Sequence, residues 1–253
     1  MNSPWLIGLD AKPEARLTLV CFGSSGSGAI QFRAWNRQTP DWLRVAGVQL
    51  PGREARFREA PWHDLGALAT AIADALGEQL TGPFACYGHS FGALLAFEVC
   101  RQLRRTGSAL PQLLAVAGRW APQLPHPYRK TYHLPDAEFI EVLAQYGGTD
   151  RRILADAELM RLFLPGIRAD LELNTEYVYP PEPPLPLPLI ALRGDADPVC
   201  SPPELAAWQA QTTAGFSLHT WQGGHFFEKA GQELVLGVVV EALGRGMVEL
   251  ASG

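Results

Sequence analysis

The 253-residue chain predicts an α/β fold: a mostly parallel central sheet with helices on both faces and a helical lid inserted late in the alternation. Three observations carry this. Short runs that are apolar along their whole length alternate with longer runs of helical period, as strands buried on both faces require. The alternation then breaks, and from Pro135 to Tyr179 the pattern is helical throughout. Finally, 47% hydrophobic residues over this length support one sizeable core. The expected organisation is a single domain over 1–253, with residues 136–179 as the lid.

Each element follows from a local pattern. LTLVCF (17–22) reads as a buried strand and ends in the Gly/Ser loop GSSGSGA (23–29). A helix is expected through Phe32 and Trp35. VAGVQL (45–50) is a second strand, closed by Pro51-Gly52. LGALATAIADALGEQL (65–80) has an apolar helical face at Leu65, Leu68, Ala69, Ile72, Ala75 and Leu76. FACY (84–87) is a short strand, and 93–105 a helix with Leu94, Phe97, Cys100 and Leu103 on one stripe. LLAVAG (113–118), PLIALRG (188–194) and FSLHTW (216–221) are further strands, and a C-terminal helix covers 234–247. Within the lid, Asp136 is expected to cap the first helix. PPEPPLPLP (180–188) has too few backbone donors for regular structure and favours an extended path. The lid helices read either as a separate cover or as part of the packing on the sheet.

Bulk properties exclude several classes. Net charge is −5 and no stretch is dominated by Lys and Arg, which argues against nucleic acid as a partner. Cys21, Cys86, Cys100 and Cys200 form no CxxC pair and no cluster with His, so neither a metal site nor a disulfide framework is expected. The N-terminal MNSPWLIGLDAKPEARL has no basic segment followed by a long apolar one, and no run reaches membrane-span length. A cytoplasmic monomer without membrane attachment is the expectation.

The chemistry centres on Gly88-His89-Ser90-Phe91-Gly92, a G-x-S-x-G run between a strand and a helix. A turn this sharp strains the serine and leaves no room for a Cβ on either flank. The serine hydroxyl then stands above the sheet edge as a nucleophile. The next N–H, on Phe91, belongs to the first helical turn and can bind an oxyanion. The alternative is a plain glycine turn. A serine needs a base, and the base needs an orienting acid; with such a turn the chain order is Ser, acid, His. Of six histidines, His225 in QGGHFF follows the strand 216–221 and is the candidate base. His63, His126 and His133 lie away from strand ends, His219 lies inside a strand, and His89 points elsewhere from the turn. For the acid, PLIALRGDADPV offers Asp197, which can curl back beneath the imidazole, and Asp195, which suits a turn; Asp197 is favoured. The loop after the first central strand, FGSSGSG, should supply a second oxyanion donor from Ser25 or, as the alternative, Ser24. It has neither the spacing of a P-loop nor that of a dinucleotide-binding turn.

Eight stretches, in order over nearly the whole chain, resemble the type II thioesterases: LVCFGSSGSGA, LPGREARFREAP (50–61), YGHSFGALLAFEV, AGRWAPQLP (117–125), LPDAEFIEVLAQYGGT (134–149), LFLPGIRADLELNTEYVY (162–179), LRGDADPV and GGHFFEKAG. These are free-standing α/β-hydrolase enzymes that accompany nonribosomal peptide and polyketide synthases. The resemblance implies that Ser90, Asp197 and His225 are nucleophile, acid and base. It also implies a substrate, an acyl or peptidyl thioester on the phosphopantetheine arm of a carrier protein, and hydrolysis of misloaded or stalled groups with no cofactor or metal. The chain departs from the family at its first loop, usually F-P-x-A-G-G. Gly23 replaces the proline, Ser25 the alanine, and Gly26-Ser27 the paired glycines, implying a more flexible loop and a more polar pocket. Ala117 also stands where a serine is common. Arg53, Arg56 and Arg58 read either as a face for an acidic carrier protein or as solvated charges. Leu162, Phe163, Leu164, Ile167 and Leu171 either line an acyl pocket or pack the lid on itself. Rival readings are a general carboxylesterase or lipase, a carrier-binding protein without turnover, and acyl transfer to an acceptor other than water.

Overall fold

The computed structural model describes residues 4–126, 130–227 and 229–251, without the side chains of residue 229 and of 246–251. The ends of the expected 1–253 domain, and one residue of the GGHFFEKAG stretch, lie outside the described residues.

The sheet is built from β1 (Leu6–Ile7), β2 (Leu17–Phe22), β3 (Leu43–Val48), β4 (Phe84–His89), β5 (Leu114–Ala117), β6 (Leu189–Gly194) and β7 (Phe216–Trp221). Their spatial order is β1-β3-β2-β4-β5-β6-β7, with only β1 antiparallel to its neighbour. Side chains alternate between two cores because successive strand residues face opposite ways. In β2, Val20 and Phe22 join one core, while Leu17, Leu19 and Cys21 join the other. On the first face pack α1 (Leu65–Gln79) and α2 (Phe91–Arg105); on the second pack Phe32 and Trp35 with α7 (Lys229–Ala251). All four cysteines are buried free thiols.

Between β5 and β6 stand α3 (Asp136–Tyr146), α4 (Arg151–Leu154) and α5 (Ala157–Thr175). They carry a small apolar core of their own, formed by Phe139, Leu143, Leu154, Met160 and Leu164. Asp156 starts α5, its carboxylate accepting from the N–H groups of Glu158 and Leu159, both at 3.0 Å. Asp136 does not cap α3, as the sequence suggested. Pro135 holds the capping position, and Asp136 is the first helical residue, where its carboxylate accepts from Arg168 of α5 at 2.6 Å. A proline just outside the helix leaves the cap without a side-chain oxygen. A carboxylate one place later still complements the helix N-terminus.

Other differences are small. The segment through Phe32 and Trp35 is a 3₁₀ helix (Ala29–Arg37), and the second strand runs two residues earlier than expected. The strand β1 and α6 (Pro202–Ala206) had no distinct periodic signal, being too short to show one. The proline run 180–188 forms no helix or regular strand, only a bridge from Leu185 to Thr212 and a bend at 186–187, and is held down by α2. Arg101 donates to Pro180 O at 2.5 Å, and Arg104 and Arg105 reach Glu182 at 2.5 Å each. Among the described residues no helix is long and apolar enough to cross a membrane.

Candidate active site

The chain runs from β2 out to β3 and then returns to place β4 on β2's other side. Loops leaving β2 and β4 therefore diverge and open a crevice at the carboxyl ends of the strands, where parallel sheets hold ligands. Ser90 leaves β4 with φ 56° and ψ −117°, a strained non-glycine conformation. The flanking glycines make the turn possible. A Cβ on Gly92 would lie 2.3 Å from Phe22 O, and one on Gly88 2.2 Å from Gly92 O. The Ser90 N–H donates to Ala117 O at 2.8 Å, fixing the turn to β5. Phe91 opens α2, so its N–H has no intrahelical acceptor.

Three side chains distant in sequence meet here. His225 Nε2 lies 3.2 Å from Ser90 Oγ, and its Nδ1 lies 3.0 Å from Asp197 Oδ2. Asp197 is held in turn by the Val199 N–H, which donates to Oδ1 at 2.8 Å. Asp195 is elsewhere engaged: it accepts from the Gly223 N–H at 2.9 Å, tying the loop after β6 to the one after β7. Such a chain of hydroxyl, imidazole and carboxylate can pass a proton from the hydroxyl to a ring whose cationic form the carboxylate stabilises.

Two residues that sequence reasoning passed over support this geometry. His89 makes no hydrogen bond to Ser90 among the described residues; its ring Nε2–H instead donates to the His225 carbonyl at 2.9 Å, and the ring packs on Phe227. Arg193, buried at the end of β6, donates to the carbonyls of Asp195 and Asp197 at 3.3 and 3.1 Å. Its place in the apolar strand LIALRG was the available signal, since a charge there needs local acceptors.

Burial, reinforced by the neighbouring His225, pushes the His89 pKa down to about 3. The unfolded value is about 6.5. The unfolded chain therefore binds the extra proton between these limits, and stability falls as pH drops from about 6.5 toward 3. This one group contributes a slope of at most about 1.4 kcal/mol per pH unit. Denaturant unfolding between pH 7 and about 4.5 should show His89→Gln, which keeps a donor but does not titrate, losing stability less steeply than wild type. Equal slopes would mean that His89 is not the proton acceptor.

A cavity of about 390 Å³ opens at Ser90 and His225 and is walled by the loop after β2 and by the inserted helices. Ser24 and Ser25 line it, as do Phe163, Ile167 and Leu171. Leu164 packs inside the insertion's own core. Leu162 is exposed and is not part of the cavity wall; on α5 it falls one residue off the inward-facing stripe.

The loop after β2 makes several hydrogen bonds, within itself and to α5. A Cβ at Gly23 would lie 2.2 Å from Ser27 Oγ, so the glycine and the serine are complementary, and Ser27 Oγ donates to Ser24 O at 2.7 Å. Asp170 on α5 accepts from the Gly26 N–H at 2.8 Å and from Arg53 at 2.6 and 2.8 Å. Arg53 also donates to Ser27 O at 3.1 Å. Arg53 is thus buried and committed, and so is Arg56, which donates to Glu59 and to Gln49 O and lies over the Trp5 ring at 4.0 Å. Neither is a solvated charge or a docking face; of the three arginines only Arg58 is exposed. A carboxylate 117 residues away gave no local signal.

Comparison with known proteins gives a consistent result. The thioesterase domain profile matches residues 17–242. RedJ, a thioesterase of the prodiginine biosynthetic pathway in Streptomyces coelicolor, superposes with a TM-score of 0.85 at 38% identity, covering 91% of this chain and 87% of its own. YbtT, a type II thioesterase from the yersiniabactin NRPS/PKS pathway, gives 0.83 at 30% identity over 94% and 97% of the two chains. Linear gramicidin dehydrogenase LgrE of Brevibacillus parabrevis is 37% identical over 95% of this chain and 93% of its own.

Proposed function

From the premise that the chain belongs to the thioesterase family, we propose that it clears acyl and peptidyl groups from the phosphopantetheine arm of carrier proteins, with Ser90, His225 and Asp197 as nucleophile, base and acid. The observation that carries the assignment is the unbroken relay from Ser90 Oγ through His225 to Asp197, at 3.2 and 3.0 Å, opening on the cavity.

In this reading Ser90 Oγ attacks the thioester carbonyl carbon while His225 Nε2 takes its proton. The carbonyl oxygen becomes an oxyanion, received by the N–H groups of Phe91 and Ser25. The C–S bond then breaks. The pantetheine sulfur leaves with the proton from His225, and the acyl group stays on Ser90 as an ester. Water enters, gives a proton to His225 and attacks that ester; the second tetrahedral intermediate collapses to the free acid and Ser90 regains its proton. Asp197 keeps Nδ1 protonated and stabilises the imidazolium throughout. The chain acts as one domain in the cytoplasm, as a monomer, with the 136–179 insertion as a lid over the acyl group. No cofactor or metal takes part.

The test is one acyl group presented on a phosphopantetheinylated carrier protein, on coenzyme A and as a p-nitrophenyl ester. The carrier-bound form should have the highest kcat/KM, by about 10-fold or more, because contacts remote from the reacting carbon are used only there. Faster turnover of the simple ester would identify a general esterase instead.

A further inference from the structure

The cavity wall holds a nearly buried amide that the hydrolytic relay does not use. Asn174, on the last turns of α5, lines the same cavity as Ser90 and His225 and is about 9% exposed. Its Oδ1 accepts from Arg119 Nη1. A guanidinium has donors only, so the amide must turn its oxygen toward Arg119 and its NH₂ away. No acceptor for that NH₂ is present among the described residues.

Arg119 itself is unusual. It is 2% exposed, lies 4.4 Å from the Trp120 ring centroid, and forms no ion pair among the described residues. Its buried position pushes its pKa down to about 9, which still leaves it cationic at neutral pH. A positive charge therefore sits behind the amide, polarising it so that its N–H groups become stronger donors. Two hydroxyls on this wall are already spent: Thr175 donates to Leu171 O at 2.6 Å, and Ser27 to Ser24 O at 2.7 Å. The rest of the cavity wall is mainly apolar, with Leu143, Met160, Phe163, Ile167 and Leu171. An alkyl chain filling it would strip water from the amide and return nothing.

We propose that Asn174, oriented by Arg119, forms a subsite in the acyl pocket for a carbonyl oxygen, so that the favoured acyl group carries a ketone or amide carbonyl along its chain. Asn174 is the specificity-determining residue and Arg119 its positioning residue. The inference rests on the cavity being the acyl site of the proposed thioesterase.

The experiment compares octanoyl-coenzyme A with its analogues bearing a ketone at each successive chain carbon. Wild type should turn over one or more keto analogues with kcat/KM about 10-fold or more above octanoyl, because a site built to donate discriminates against chains that leave it unpaired. Asn174→Asp retains the oxygen that Arg119 needs and so preserves the fold, but it has no N–H; it should erase the preference. Asn174→Leu should erase it too. Labelling of Ser90 by a fluorophosphonate in each variant reports an intact centre. No keto preference in wild type, or one that survives in Asn174→Asp, overturns the subsite. Loss of labelling together with turnover that survives Ser90→Ala would instead overturn the hydrolytic reading on which it rests.

Discussion

Ser90→Ala is expected to lower turnover of an acyl thioester by about 10⁴-fold or more, with the thermal midpoint nearly unchanged. The hydroxyl is the only group on the strained turn that can form the acyl intermediate, and alanine keeps the turn's size. His225→Ala should fall in the same range, and the double variant should be scarcely worse than either single one, because residues acting as a unit are not additive. Single-turnover assays on an acyl-coenzyme A settle the matter. Activity within 10-fold of wild type in Ser90→Ala would remove the serine from the mechanism, whatever its geometry.

Arg53→Ala is expected to be the most damaging change outside the relay. It strips the counter-ion from Asp170, whose carboxylate is 3% exposed, and releases the Ser27 carbonyl. Breaking a buried pair from one side costs about 3–5 kcal/mol. In a domain of this size that is a fall in Tm of roughly 6–20 °C. Catalysis should suffer as well. Asp170 would no longer fix the Gly26 N–H, next to the proposed donor on Ser25, and loss of one oxyanion donor costs about 10²-fold in kcat. Arg53→Met with Asp170→Leu should recover much of the stability, since apolar side chains of similar volume replace such a pair well. It should not recover kcat, because the Gly26 N–H stays without its acceptor. If Arg53→Ala melts within about 2 °C of wild type, the pair is not what anchors this loop.

The Arg53 pair also has no local signature in the sequence. Its sequence neighbourhood, PGREARF, looks like an exposed charged loop, and only the approach of α5 turns it into an interior. Arg119 is the same case. It stands next to Gly118 in a segment that reads as a strand end, and its burial depends on packing against α5 and Trp208. His89 reads in the sequence as pointing elsewhere from the serine's turn. That reading is sound for the direction its ring leaves β4. It says nothing of what later arrives there, and it is the loop after β7 that brings the His225 carbonyl to it.

By itself the sequence determined the elements and the chemistry that local pattern encodes. Fully apolar strands between helical runs required a covered parallel sheet, and G-x-S-x-G at a strand-to-helix junction required a strained serine, because strand period, helix period and glycine sterics all act within a few residues. Tertiary structure alone decided which lid residues face the cavity, and that Arg53, Asp170, Arg119 and Asn174 work inside rather than at the surface. Those outcomes depend on groups far apart in the chain, whose distances and desolvation are set only once the sheet order and the inserted helices bring them together.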